Sequence, residues 1–199
     1  VAVGQEAMGG ITTNAVQDAV AIGLAALKGT SGTTTGASGT IAIGRNALFA
    51  LTTGGANVAI GYQALDSLTV GDDNLAIGYG AMGALSTTDV SDRNIAIGNY
   101  AMDGVSSLAP TDNIFIGYSS GGGGWTGTLS STNVGIGNYV MDAAMDGAVE
   151  NTAVGHQALS SLTTGDENTM IGRLAGRDVT TGGLNVMIGS AAGYQVQAG

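Results

Sequence analysis

Few side chains in this sequence can do covalent chemistry. There is one His, His156, and no Cys, and the Ser residues lie in turn-rich segments without a second His. Neither a thiol mechanism nor a nucleophile–base pair therefore has its parts. The run Gly121-Gly122-Gly123-Gly124 lacks the Gly-Lys-Ser/Thr ending that a phosphate loop needs. The acidic pairs Asp72-Asp73 and Asp166-Glu167 read first as solvated turns, and calcium bridging is the alternative chemistry of such carboxylates. No other cofactor is implied. What remains is aromatic. Tyr62, Tyr79, Tyr100, Tyr118 and Tyr139 recur at related positions, and Trp125, the only Trp, sits in the glycine-rich stretch 119–127. Flat, amphipathic rings suit contact with a sugar or a receptor, so Trp125, Tyr62, Tyr79 and Tyr118 are the candidate contact residues. The competing role for Trp125 is to fold over the scaffold and cover it.

The elements that would position these rings are visible as a repeat. Glycine anchors fall at Gly4, Gly23, Gly44, Gly61, Gly78, Gly98, Gly117, Gly137, Gly155, Gly172 and Gly189, at intervals of 17 to 21 residues. Ile or Val precedes every anchor, and Ala follows three residues after most of them. Four residues before the anchor stands an Asn column: Asn57, Asn74, Asn94, Asn113, Asn133, Asn151, Asn168 and Asn185, with Ala19 and Thr40 as exceptions. His156 directly follows an anchor, where Tyr62, Tyr79 and Tyr118 stand in other repeats. That makes it a repeat-position residue rather than a catalytic base. The array covers residues 1–199 as one domain, with longer, irregular repeats over 98–137.

Within a repeat, Val58-Ala59-Ile60-Gly61 alternates large and small side chains, the period of a strand. A helix would be interrupted by Gly and β-branched residues every few positions. A second apolar cluster, Ala64-Leu65-x-x-Leu68, predicts a second short strand before the turn at Val70-Gly71. Two strands and two turns make one coil, which cannot bury its apolar face alone, so coils must stack. The expected fold is all-β: a parallel β-solenoid, or β-roll, of about eleven coils. The Asn column predicts turn chemistry and an amide ladder between coils. The Val/Ile column is expected to face inward and carry stability. The strict Ala/Gly face predicts close approach of a neighbouring chain in an intertwined or side-by-side homotrimer, with a tight coil interior as the alternative location.

Composition narrows the partners. The formal charge is −10, with Lys28, Arg45, Arg93, Arg173 and Arg177 scattered singly, so nothing offers a phosphate backbone a basic track. The longest strongly apolar run, Ala19 to Leu27, is too short to span a bilayer. Val1 in place of Met, with the repeat pattern cut at both ends, carries the expectation of an excised piece with flanking fibre domains.

The phrase N-x-A-I-G-x-x-A-L-x-x-L-T-T-G resembles the repeats of bacteriophage tail-fibre proteins and the head domains of trimeric autotransporter adhesins. The resemblance covers nearly the whole chain. It implies a left-handed parallel β-roll in a homotrimer, on a virion surface or an extracellular cell surface, that meets a host glycan or protein receptor. Ile60-Gly61-Tyr62-Gln63-Ala64 also resembles one hexapeptide of left-handed β-helix acyltransferases. Asp66 and Asp72 then fall where Ile, Val or Leu should stand, so the enzymatic reading fails. The expectation is a non-enzymatic fibre or adhesin segment. The alternative is the subunit of an extracellular filament assembled end to end.

Overall fold

The structure, a computed structural model, describes residues 1–11, 16–29, 34, 36–85, 90–105, 109–125 and 127–194. Thr126 of the glycine-rich stretch and residues 106–108 of the longer coils lie outside the described residues. The strands are β1 (Ala2–Val3), β2 (Val20–Ile22), β3 (Ile41–Ile43), β4 (Val58–Ile60), β5 (Leu75–Ile77) and β6 (Ile95–Ile97). They continue as β7 (Ile114–Ile116), β8 (Val134–Ile136), β9 (Thr152–Val154), β10 (Thr169–Ile171) and β11 (Val186–Ile188). All pair in parallel within one sheet whose spatial order is the chain order. The fold is a parallel β-solenoid, and among the described residues there is no helix.

Pairing is in repeat register: Val58 faces Leu75, Ala59 faces Ala76 and Ile60 faces Ile77. Each repeat position therefore stacks on itself. At about 4.8 Å per parallel step, the eleven strands span roughly 50 Å.

Among the described residues each coil holds one strand, not two. The second apolar cluster is a chain of turns, because the backbone enters the left-handed region twice: Asn46 and Leu48 have φ of 58° and 50°, Gln63 and Leu65 of 55° and 51°. An extended run cannot pass through such residues. The coils nevertheless stay bonded there. Leu48 N–H donates to the Ala64 carbonyl at 3.0 Å, Leu65 to Ala81 at 3.0 Å and Met82 to Ala101 at 2.9 Å. A non-glycine residue at positive φ costs about 1–2 kcal/mol, and each such coil-to-coil bond offsets part of that. The anchors close the strand where no side chain fits. Gly23 has φ of 131°, and a Cβ on it would sit 2.6 Å from the Gly44 carbonyl oxygen of the next coil.

The two faces of the strand lie opposite to the expectation. The small residues point inward: Ala21, Ala42, Ala59, Ala76, Ala96 and Ala153 are fully buried within the single chain. The flanking Val and Ile point out, half-buried along β4 to β7, with Ile22, Ile136 and Ile171 each 39% exposed. The reason is thickness. Leu65, Leu68, Leu48, Leu51, Met82 and Leu85 fill the interior from the opposite wall. Only a methyl or nothing then fits between that wall and the strand.

The interior obeys a volume rule. Where the strand centre is Ala, the left-handed position beyond the anchor carries a large residue, as in Ala59 with Leu65, Ala76 with Met82, Ala96 with Met102 and Ala153 with Leu159. Where the centre is Phe115, Met170 or Met187, that position is Gly121, Gly176 or Gly193. A Cβ on Gly176 would lie 2.7 Å from the Met170 sulfur, and one on Gly121 2.8 Å from the Phe115 ring.

The Asn column is the expected ladder, and it runs inside the coil. Asn74 donates from its backbone N–H and its Nδ2 to Asn57 Oδ1, at 3.0 and 3.1 Å. The pattern repeats at Asn94, Asn113, Asn133, Asn151, Asn168 and Asn185. From Asn57 to Asn168 each Nδ2 also reaches a carbonyl of the following coil, such as Gly71 for Asn57 and Pro110 for Asn94. Buried amides are thereby satisfied without water. At Thr40 the ladder stops: its buried hydroxyl has no hydrogen-bond partner among the described residues.

Candidate functional site

Immediately past the strand, on the outside of the first turn, the aromatic positions of successive coils converge. Tyr62, Tyr79, Tyr100, Tyr118, Tyr139 and His156 form a continuous ladder with ring-centroid steps of 5.0, 5.2, 5.9, 5.4 and 6.0 Å. Tyr62 and Tyr79 stack with 12° between planes, and the later pairs meet edge to face. The Arg45 guanidinium lies 5.8 Å from the Tyr62 centroid, on the side of the preceding coil. Tyr79, Tyr100, Tyr118 and Tyr139 are exposed. The coil spacing sets this geometry: parallel strands hold equivalent residues about 4.8 Å apart, within aromatic contact distance.

The ladder shifts position in sequence yet stays continuous in space. Tyr62, Tyr79 and Tyr118 directly follow an anchor, whereas Tyr100 and Tyr139 come one residue later, behind Asn99 and Asn138. Those two amides serve the backbone. Asn99 Oδ1 accepts the Tyr79 N–H at 2.9 Å, and Asn138 Oδ1 accepts that of Tyr118 at 2.9 Å. Tyr100 and Tyr139 take left-handed φ values of 59° and 57°, which carries their rings back into line. Desolvation and the neighbouring Tyr79 hydroxyl raise the pKa of Tyr100.

Beside the rings runs a row of acids. Asp66, Asp103 and Asp142 lie five residues after their anchors, and the coils between them carry Gly83 and Gly122 there. Asp66 accepts from Gln63 Nε2 at 3.0 Å, Asp103 from the Ala84 N–H at 3.2 Å and Asp142 from Ser119 Oγ at 3.0 Å. Partial burial pushes all three carboxyls above the usual carboxylate range, and these hydrogen bonds pull the other way. Between Asp66 and Asp103 a cavity of about 310 Å³ opens, walled by Gln63, Tyr79, Gly83 and Tyr100.

The structure thus brings Tyr62, Tyr79 and Tyr118 together with Tyr100 and Tyr139, the other tyrosines of the column expected from sequence, and adds His156 at its end. Trp125 does not belong there. It is fully buried, edge-on to Phe115 with centroids 5.8 Å apart, and its Nε1–H donates to the Gly121 carbonyl at 3.1 Å. A residue with no exposed surface cannot touch a receptor. The swollen coil widens the interior, Ser120, Gly121 and Gly135 yield volume around Phe115, and Trp125 fills the remaining space. In sequence it stands one residue beyond the position that Leu68, Leu85 and Leu162 hold in their coils.

The acidic turns act as backbone acceptors. Asp72 Oδ1 accepts the Gly55 N–H at 2.6 Å, Asp92 Oδ1 that of Asp72 at 2.8 Å and Asp166 Oδ1 that of Val149 at 2.9 Å. Among the described residues no three His, Asp or Glu side chains come together as a metal site would need. The acid row beside the tyrosines was the part of the site that sequence reasoning missed. Its signal was the alternation of Asp and Gly from coil to coil at one fixed offset from the anchor.

No protein-family model, curated protein or solved structure matches the chain. The class is therefore the one its geometry defines: a parallel β-solenoid with an internal asparagine ladder and an external tyrosine ladder.

Proposed function

We propose that the chain is a segment of a homotrimeric fibre or adhesin, on a virion or cell surface, that presents its tyrosine ladder to a host glycan or protein receptor. The observation that carries this reading is the outer face of the sheet. Along β2 to β8 it offers two in-register columns of Val, Leu and Ile to the outside. Contiguous apolar surface of this kind marks an interaction site. A flat, repeating strand face fits best against copies of itself, each turned about a common axis. The close chain contact therefore runs through Val and Ile, while Ala fills the coil. The ladder lies just beyond that face and stays free for a ligand. Function is then mechanical: stacked coils supply stiffness, and one edge of the stack supplies contacts.

Native mass by light scattering tests the assembly. Three chains of 19.4 kDa give about 58 kDa, and Ile97→Glu, placing a charge in the outer column, should return the mass to that of one chain. A wild-type monomer removes the trimer.

A second reading, an end-to-end filament, draws on the terminal strands. Among the described residues β1 and β11 each pair on one side only, and Val3, Val186 and Ile188 are 55%, 70% and 68% exposed. Unpaired strand edges recruit further strands. Species growing without limit with concentration would favour it over the trimer.

A further inference from the structure

We propose that the tyrosine ladder and the aspartate row form one groove for a linear, neutral, β-linked polysaccharide lying along the solenoid axis. This rests on the reading of the ladder as a glycan-presenting surface and names the glycan's class and direction.

Four observations converge on it. The rings run along the axis in five unbroken steps of 5.0 to 6.0 Å, an extended track rather than a pocket for one sugar. Aromatic faces and edges pack well against the C–H faces of pyranose rings, and the tyrosine hydroxyls keep hydrogen bonds available. Acids recur on every second coil, so the row repeats about every 10 Å along the axis. In an extended β-linked chain successive sugars are turned over, and the same hydroxyl edge returns once per disaccharide, over a comparable length.

The intervening glycines keep that period open. A Cβ on Gly83 would stand 3.0 Å from Asp103 Oδ1, and one on Gly122 3.1 Å from Asp142 Oδ1. The cavity of about 310 Å³ between Asp66 and Asp103 is of the size of a small-ligand site. The same residue types recur two coils on, as Tyr118, Gly122, Tyr139 and Asp142. Charge selects the class of polymer. The row is acidic and the chain has a formal charge of −10, so a polyanion is repelled while neutral hydroxyls find carboxylate acceptors.

Affinity electrophoresis of the full chain tests this, in gels containing either hydroxyethylcellulose, a neutral β-linked glucan, or hyaluronan, a polyanion. Retardation is expected in the glucan alone. Tyr100→Ala and Tyr118→Ala should each weaken it about tenfold at unchanged melting temperature, and Tyr100→Phe should preserve it. Calorimetric titration with cello-oligosaccharides of increasing length should show affinity rising with each completed pair of sugars. Three results overturn the groove: no retardation in the glucan, both alanine variants retarded as strongly as the unsubstituted chain, or retardation in hyaluronan equal to that in the glucan. Light scattering on the same samples separates this from the fibre reading. A trimer indifferent to glucan removes the groove and leaves the fibre, and a monomer that binds glucan does the reverse.

Discussion

Thr40 occupies the asparagine column with a side chain too short to continue it. Its buried hydroxyl, unpartnered among the described residues, leaves the ladder starting at Asn57. An amide there would place an oxygen for the Asn57 N–H and Nδ2, and a nitrogen for the Gly54 carbonyl, as Asn57 does for Asn74 and Gly71. Thr40→Asn should therefore stabilise by about 1–2 kcal/mol in chemical denaturation, the worth of one or two added hydrogen bonds and a relieved buried hydroxyl. A destabilised variant would show that the coil of β3 lacks the room. Asp103 sets a pH dependence at the same scale. Burial raises its carboxyl pKa, as it does for Asp66 and Asp142. A group that holds its proton more tightly folded than unfolded stabilises the fold when protonated. That contribution is full below the ordinary carboxylate value and is lost as pH rises through the raised one. Asp112 has the opposite sign: Arg93 holds it low, so its share is present above the ordinary value and lost only as pH falls through the depressed one. The melting temperature should rise on acidification from neutral pH through the raised values, and Asp103→Asn should flatten that rise.

At the scale of the coil, the unit of design is the pair formed by the strand centre and the left-handed position beyond the anchor. Met170 with Gly176 and Ala153 with Leu159 are two solutions of one volume problem. Met170→Ala alone opens a cavity, at about 2–4 kcal/mol. Gly176→Leu alone overpacks it, at about 1–3 kcal/mol. A leucine there takes the left-handed backbone that Leu159 already adopts, φ of 50° against 58° at Gly176, at the same cost of about 1–2 kcal/mol. Together the two changes recreate the Ala153–Leu159 arrangement. The double variant should recover most of both losses, a coupling visible in a double-mutant cycle by thermal or denaturant unfolding. Additive losses would mean that neighbouring coils, not the pair, set the interior width.

For the whole molecule, stacking decides behaviour because each coil contacts only its neighbours. Repetition turns single residues into columns: amides inside, Val and Ile outside on the sheet, tyrosines along one edge. The outer columns carry the assembly prediction, in which Ile97→Glu lowers the mass from about 58 kDa to that of one 19.4 kDa chain. The tyrosine edge carries the polysaccharide prediction. Both surfaces are products of register, and a slip of one residue would scatter them.

Much of this was legible in the residues alone. The anchor glycines and the Asn column determined the parallel pairing and its register, because a repeat that stacks must set like on like. The ladder of amides followed, as did the convergence of Tyr62, Tyr79 and Tyr118. Which face of Val58-Ala59-Ile60 turns inward was decided only by the tertiary structure. Alternation specifies that two faces differ, while the side that is buried depends on how much volume Leu65 and Leu68 bring from the opposite wall. The same holds for Trp125, whose place inside depends on Phe115 and on the room left by Gly121 and Gly135. The aspartate row, too, became a groove only once the coils stood side by side. Periodicity is a property of the chain and can be read along it. Interior volume is shared between segments distant in sequence, and it exists only after they pack.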